Sequence, residues 1–507
     1  MYKLLLILRY FQRKLVAVFA LLAVALCTAM VIIVISVMGG FLDLMTHTAK
    51  NLSGDVVIHR GLGGFSHYEQ MLDGLRGLPE VAGATTTVQG YGLIKLHGYI
   101  IPVQVTGIRP EEFNTVTRYR NTLHWKSQDY LEYWDRLLET YPPEEGAADD
   151  RPGSRGAGGG DKEKDSWRRL ISQRRKWYER HDLIDESMKF KGPRGKQGLP
   201  GIIPGIAVSP SNERDHEGQY HLWDTSTGVS ATLTTVPIAE GGALQEPSVE
   251  EFNIVNEFKS GFMELDLKFV FVEFDVLQRM LWMDVQAETD PETGEPTGNQ
   301  FPARTTEIMV RGTEGYTLEE IERSVEQFVS DFCVSKQMAR PIVKNWLEDR
   351  FGMILAAVKK EKGMMAFLFG IISLVAVVMV AVIFYMIVMD KTRDIGVLRA
   401  IGASRLGIVD VFLGYALVVG IIGASIGLAL AAVVVWNLNE IQDLLAAWTG
   451  FKMWDPKIYY FDRIPSRLDR LEVTIIMVCA VVASVLGALI PAWLAGRTDP
   501  VASLRYE

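Results

Sequence analysis

Four stretches of this 507-residue chain are each long and apolar enough to cross a bilayer, which takes about 20 apolar residues. They are Leu15–Met38, Met364–Met389, Val409–Trp436 and Val473–Leu494. Apart from Asp410 at the edge of the third, none holds Asp, Glu, Lys, Arg or His. Core helices of a soluble protein do not need four charge-free runs of this length, so these read as membrane spans. The first is too long for a signal-peptide core and lacks a small-x-small cleavage site, which makes it an uncleaved anchor.

Basic residues in short flanks set orientation. Lys3, Arg9, Arg13 and Lys14 precede the first span with no acid among them, placing the N-terminus in the cytoplasm. Parity then puts residues 40–362 outside, 390–406 inside, 437–472 outside and 496–507 inside. Lys391, Arg393, Arg399 and Arg405 agree for the inner loop; Lys359, Lys360 and Lys362 at the outer end of span two run against it. The net charge of −9 argues against a nucleic-acid binder, whose affinity rests on neutralising phosphates. Of three cysteines, Cys27 and Cys479 lie in apolar runs, so Cys333 stands alone in the polar part and no disulfide framework exists.

The polar region opens with a strand at Val56–Ile58 and a helix carrying Tyr68, Met71, Leu72 and Leu75, stopped by Gly77 and Pro79. Ala84–Gln89, Gly92–Leu96 and Tyr99–Gly107 read as strands separated by glycines. Residues 111–198 differ. An aromatic-rich helical stretch (Trp125, Tyr130, Trp134) runs into PPEEGAADDRPGSRGAGGGDKEKD, which has too few apolar residues to pack. A charged helix at Ser166–Phe190 and a glycine-rich loop follow. Phe252–Phe258, Phe269–Phe274 and Thr306–Arg311 suit strands; Val276–Trp282 and Leu318–Val334 suit helices. The whole is a mixed α+β module interrupted by a partly disordered insert.

Pro341 opens a stalk in which Val343, Leu347, Phe351, Ile354 and Val358 recur at spacings of three and four. Its ~20 helical residues would rise about 30 Å before span two begins. DKTRDIGVLRAIGAS follows that span. In span three, Gly420, Gly423 and Gly427 form a small-residue face on which a helix packs closely. The last span ends at Pro491. Chemistry is sparse. No G-x-x-x-x-G-K-[ST] cradles phosphates, so energy has to come from a partner. No charge inside the spans offers an ion relay, which disfavours a secondary transporter. His216, His221, Asp215 and Asp224 have the residue types of a zinc site, but polar loop residues are the plainer reading. No catalytic, cofactor-binding or metal residues are expected, and the chain reads as non-enzymatic.

DKTRDIGVLRAIGAS and the glycine-rich span after it resemble the core signature of FtsX-like ABC transporter permeases of the MacB type. SVMGGF, LSGDVVIH, FNIVNEFKSGFMELD, AAVKKEKGMMAF and PAWLAGRTDPVASLRYE extend the likeness to the lipoprotein-releasing branch, LolC and LolE. Gly39 stands where that branch usually carries Asn, and the insert is unusually long. The resemblance implies a membrane α-helical protein of four transmembrane helices with a large extracytoplasmic α+β domain inserted between helices 1 and 2. The expected segments are an N-tail and first helix (1–41), a periplasmic domain (42–340), a stalk (341–362), helix two (363–389), a cytoplasmic coupling loop (390–406), helix three (407–436), an outer loop (437–472), helix four (473–495) and a tail (496–507).

It further implies that Asp394, Ile395, Leu398, Arg399, Ala400, Gly402 and Ala403 form a coupling helix resting on a cytoplasmic ABC ATPase, which alone binds ATP and Mg. A second permease protomer, membrane lipids, a lipoprotein substrate and a periplasmic carrier are the other implied partners, in the cell inner membrane. On this view the chain extracts lipoproteins by mechanical coupling. The alternatives are a MacB-like efflux or FtsX-like hydrolase-regulating permease, or a membrane-anchored scaffold or sensor without ATP coupling.

Overall fold

A computed structural model describes residues 15–140, 175–192, 198–215, 218–222, 225–238, 244–289, 296–347, 352–450, 452, 454 and 463–497. The chain divides into two compact units. One comprises 1–45, 354–455 and 463–507; the other comprises 46–353 and 456–462.

Helix α1 (Leu15–Asn51) opens the chain. The second unit then runs β1 (Val56–His59), β2 (Phe65–Ser66), α2 (Tyr68–Arg76), β3 (Val81–Leu96), β4 (Tyr99–Ile108), α3 (Pro110–Val116), α4 (Tyr119–Thr122), α5 (Ser127–Thr140) and α6 (Leu183–Ser187). It continues with β5 (Gly201–Pro204), β6 (Ser230–Thr235), β7 (Ser248–Ile254), α7 (Met263–Lys268), β8 (Phe269–Glu273), α8 (Phe274–Met280), β9 (Gln286–Thr289) and β10 (Pro296–Phe301). Last come β11 (Arg304–Thr305), β12 (Glu307–Gly312), α9 (Leu318–Lys336) and β13 (Ile342–Asn345).

Among the described residues the main sheet has the order β13-β1-β12-β3-β4-β8-β5-β7-β6, with β3 also pairing β6. That extra pairing, Gly92↔Thr235 to Lys95↔Thr232, closes six strands into a ring. Only β4–β8 and β5–β7 are parallel. The sequence suggests two strands where β3 is one. Gly92 does not end it: a Cβ there would lie 2.5 Å from the Thr234 carbonyl oxygen, so glycine lets β6 approach and shut the ring. Inside, Val88, Ile94, Val105, Leu233, Phe252 and Val270 are fully buried. Helix α9 packs its Ile321, Val325, Val329 and Cys333 stripe on the core, its start fixed by a Thr317–Glu320 capping box.

The stalk departs from its expected form at its start. Residues 342–345, read as the start of a helical stalk, form edge strand β13 paired with β1 (Val57↔Lys344). A short run with apolar residues three or four apart satisfies either period, and β-branched Ile342 and Val343 suit the strand. The aromatic-rich stretch of the insert, expected to be helical, folds as α4 and α5. Trp125, Tyr130, Trp134, Tyr178 and Leu183 are buried in one cluster, with Tyr130 stacked on Tyr178 at 4.4 Å. The stretch expected to be disordered, 142–165, and the first part of the helix expected at 166–190 lie outside the described residues.

The other unit continues from α1 with α10 (Gly352–Asp390), α11 (Thr392–Ala400), α12 (Arg405–Trp436), α13 (Leu438–Thr449) and α14 (Arg470–Arg497). Helices α1, α10, α12 and α14 each contain an apolar segment long enough to span a bilayer. With 39 residues α10 rises about 58 Å, against roughly 30 Å for a hydrocarbon core. Only residues 352–362 precede the expected span, about 16 Å of helix. At the far end α14 does not stop at Pro491. It continues to Arg497, held by the buried Ala488, Ala492 and Ala495.

Candidate functional site

Helix α11 hangs between α10 and α12. Ile395 is 3% exposed and packs on Val388, Ile408, Phe412, Ala492 and Ala495; Gly396 beside it is also buried. The Arg399 guanidinium donates to the Gly496 carbonyl at 3.3 Å, and Lys391 pairs with Asp394 at 3.0 Å. The helix ends where Gly402 takes a φ of +105°, letting the Ala403 N–H reach the Leu398 carbonyl. Ser404 then caps α12 by accepting from the Gly407 N–H.

Of the seven residues the resemblance singles out, Ile395, Leu398 and Arg399 face at least partly inward. Asp394 and Ala400 face solvent, and Gly402 and Ala403 shape the turn. The outward apolar surface belongs to Val397, Ile401 and Leu406, which are 43%, 80% and 76% exposed. Sequence reasoning passed over these three. The available signal was an aliphatic triplet at uneven spacing, recognisable only once Gly402 is known to turn the chain.

The glycines of α12 sit where other helices cross. A Cβ on Gly420 would lie 3.0 Å from the Ser484 Cβ of α14. On Gly423 it would meet Val24 at 2.9 Å, and on Gly427 the Ala25 carbonyl oxygen at 2.6 Å, both on α1. Gly487 of α14 does the same for α10, where the Val377 carbonyl lies 2.8 Å away. Close backbone approach of this kind is how helices associate where no hydrophobic effect drives them.

Helices α1, α10 and α14 leave a cavity of about 370 Å³ lined by Val24, Val31, Ile35, Phe369, Val380 and Ile476 among others. Its hydroxyls are satisfied locally: Thr28 donates to the Val24 carbonyl at 2.7 Å and Ser484 to the Ala416 carbonyl at 3.0 Å. Cys27 and Ser373 lie 3.6 Å apart. With those groups paired the wall is apolar, which suits a hydrocarbon chain and not a polar solute.

A larger cavity, about 720 Å³, lies in the α+β unit beside His124, Tyr133, Tyr220 and Lys259. Beneath it Glu257, fully buried, accepts from Trp125 Nε1 at 2.7 Å, Asn212 Nδ2 at 3.0 Å and the Ser226 N–H at 3.1 Å. Burial pushes its carboxyl above the usual range, and these donors pull the other way. Asn256 brackets the Trp125 backbone, so the Asn-Glu pair fastens the insert to the ring. Asp215 and His221 pair at 3.2 Å, while His216 and Asp224 lie outside the described residues. Among the described residues no three His, Cys, Asp or Glu side chains converge on a metal position.

Residues 366–500 match the family described as FtsX-like permease C-terminal. The lipoprotein-releasing system transmembrane protein LolC of Xylella fastidiosa (strain 9a5c) is 25% identical over 289 residues, 56% of this chain and 63% of that protein. LolE of Haemophilus influenzae is 28% identical over 158 residues, 31% and 38% of the two chains. The match thus spans less than two thirds of either relative. The periplasmic region of MacB from Actinobacillus actinomycetemcomitans aligns at 7% identity with a TM-score of 0.26, covering 60% of this chain and 94% of that one. The likeness to FtsX-like permeases thus lies in residues 366–500, and the relatives that this chain resembles include lipoprotein-releasing permeases.

Proposed function

We propose that this chain is the membrane subunit of an ABC transporter that lifts a lipid-anchored substrate, a lipoprotein, out of the outer leaflet of an inner membrane. The observation that carries the reading is the apolar cavity between α1, α10 and α14, whose hydroxyls Thr28 and Ser484 are already paired and whose wall matches an acyl chain. Burying such a chain is worth about 0.8 kcal/mol per methylene, so extraction from a bilayer needs an energy source. A separate ATPase supplies it by binding ATP and Mg and resting on α11. Val397, Ile401 and Leu406 make the contact, and Ile395 and Arg399 seat the helix so that motion passes into α10. A second protomer completes the assembly, the α+β unit faces the periplasm, and a periplasmic carrier receives the substrate.

The test is reconstitution in proteoliposomes with the cognate ATPase and a lipoprotein. Release into the supernatant should require ATP. Ile401→Asp, on an exposed position, should cut both release and stimulated ATPase activity at least tenfold while leaving the helical content unchanged. Full activity of that variant would end the coupling assignment, and ATP-independent release would end the transport reading.

A further inference from the structure

Each of the three helices around the apolar cavity changes character one turn beyond it. Four residues past Ile35 on α1 stands Gly39; four before Ala366 on α10 stands Lys362; three before Ile475 on α14 stands Glu472. These three positions meet. Lys362 Nζ lies 2.5 Å from Glu472 Oε1, and a Cβ on Gly39 would sit 3.6 Å from that same nitrogen and 3.8 Å from Glu472 Oε2. An ion pair therefore stands about 6 Å beyond the cavity lining, one helical turn away, with a glycine leaving room beside it.

The two partners are not equivalent. Glu472 occupies the first turn of α14, where the helix dipole favours a carboxylate, and its N–H is held by Asp469 at 3.2 Å. It is the more exposed side chain, 33% against 21%, so it can turn to water without losing all compensation. Lys362 lies well inside α10, away from either end. Parting it from Glu472 leaves a half-buried ammonium that needs another anion. We infer that Gly39, Lys362 and Glu472 form the polar mouth of the cavity, and that it takes an acyl chain bearing an anionic head group, whose anion replaces the Glu472 carboxylate on Lys362. This rests on the proposal that the cavity holds acyl chains and adds which amphiphiles it accepts.

The full chain is reconstituted in phosphatidylcholine vesicles carrying, in separate preparations, phosphatidic acid or phosphatidylcholine with a diazirine in one acyl chain. Photolabelling of 366–380 and 475–484 is read by mass spectrometry. Wild type should be labelled at least fivefold more by the phosphatidic acid probe. Lys362→Gln should bring the two probes to parity, Lys362→Arg should keep the preference, and Glu472→Gln should raise phosphatidic acid labelling by removing the competing carboxylate. Equal labelling of wild type by both probes, or a preference that survives in Lys362→Gln, overturns the mouth and leaves the acyl cavity standing. No cavity labelling by either probe overturns both.

Discussion

Glu257 illustrates how one buried carboxyl group can govern a fold. Both carboxyl oxygens face donors, from Trp125, Asn212, Thr225 and Ser226. Burial nonetheless raises its pKa, so the folded state holds a proton that the unfolded chain releases near about 4.3. Its contribution to the stability of the α+β unit is then greatest below that pH and is lost as pH rises through the raised folded value. Glu257→Gln flattens that slope. It also turns an amide NH₂ toward N–H donors, which should cost about 1–3 kcal/mol at the acid end of the range. Urea unfolding followed by tryptophan fluorescence between pH 4 and 8 checks both effects. A variant with unchanged slope and midpoint would show that Glu257 does not fasten the insert. The Asn-Glu dipeptide was visible in FNIVNEFKSGFMELD, but its partners were not, because Trp125 lies more than a hundred residues away in the chain.

At the scale of elements, legibility followed contact range. The span helices, α2 and α9 were readable because a 3.6-residue period or a long apolar run is written in consecutive residues. Strand β13 was not, since its partner β1 precedes it by nearly three hundred residues and only pairing decides its state. The same holds for the ring, which depends on Gly92 meeting Thr234. In the candidate site, the glycine face of α12 was legible as a pattern, whereas the direction each side chain of α11 takes was not. Gly427→Val puts methyls where the Ala25 carbonyl and Thr28 stand. Overpacking of this kind costs roughly 1–3 kcal/mol. The expected result is an earlier unfolding midpoint in mixed micelles with the α+β unit unaffected. Wild-type resistance would mean that α1 and α12 do not approach as closely as described.

For the whole molecule, the division into two units makes a separable claim. Residues 46–353 contain that entire α+β unit apart from Pro456–Asp462. Expressed alone, they should be soluble and unfold in a single transition, because β3 belongs to both the open part of the sheet and the ring and neither part can melt without it. Circular dichroism and near-ultraviolet aromatic signals should therefore be lost together; two separate transitions would mean that sheet and ring fold apart.

The stack of Tyr130 on Tyr178 has a practical corollary. It sets the first turn of α5 against residue 178, and Leu137 and Trp177 pack on the same cluster, so the described chain on either side of 141–174 is fixed at one place. Closing a longer or shorter loop between fixed ends changes the entropy only logarithmically, by about 0.6 kcal/mol per doubling. Residues 142–165 hold too few apolar side chains to pack, so this is a place where the length of the protein can vary at little expense. It is equally the position at which an experimenter can graft an affinity tag, a fluorophore or a partner domain and leave the ring, the sheet and the span helices as they are.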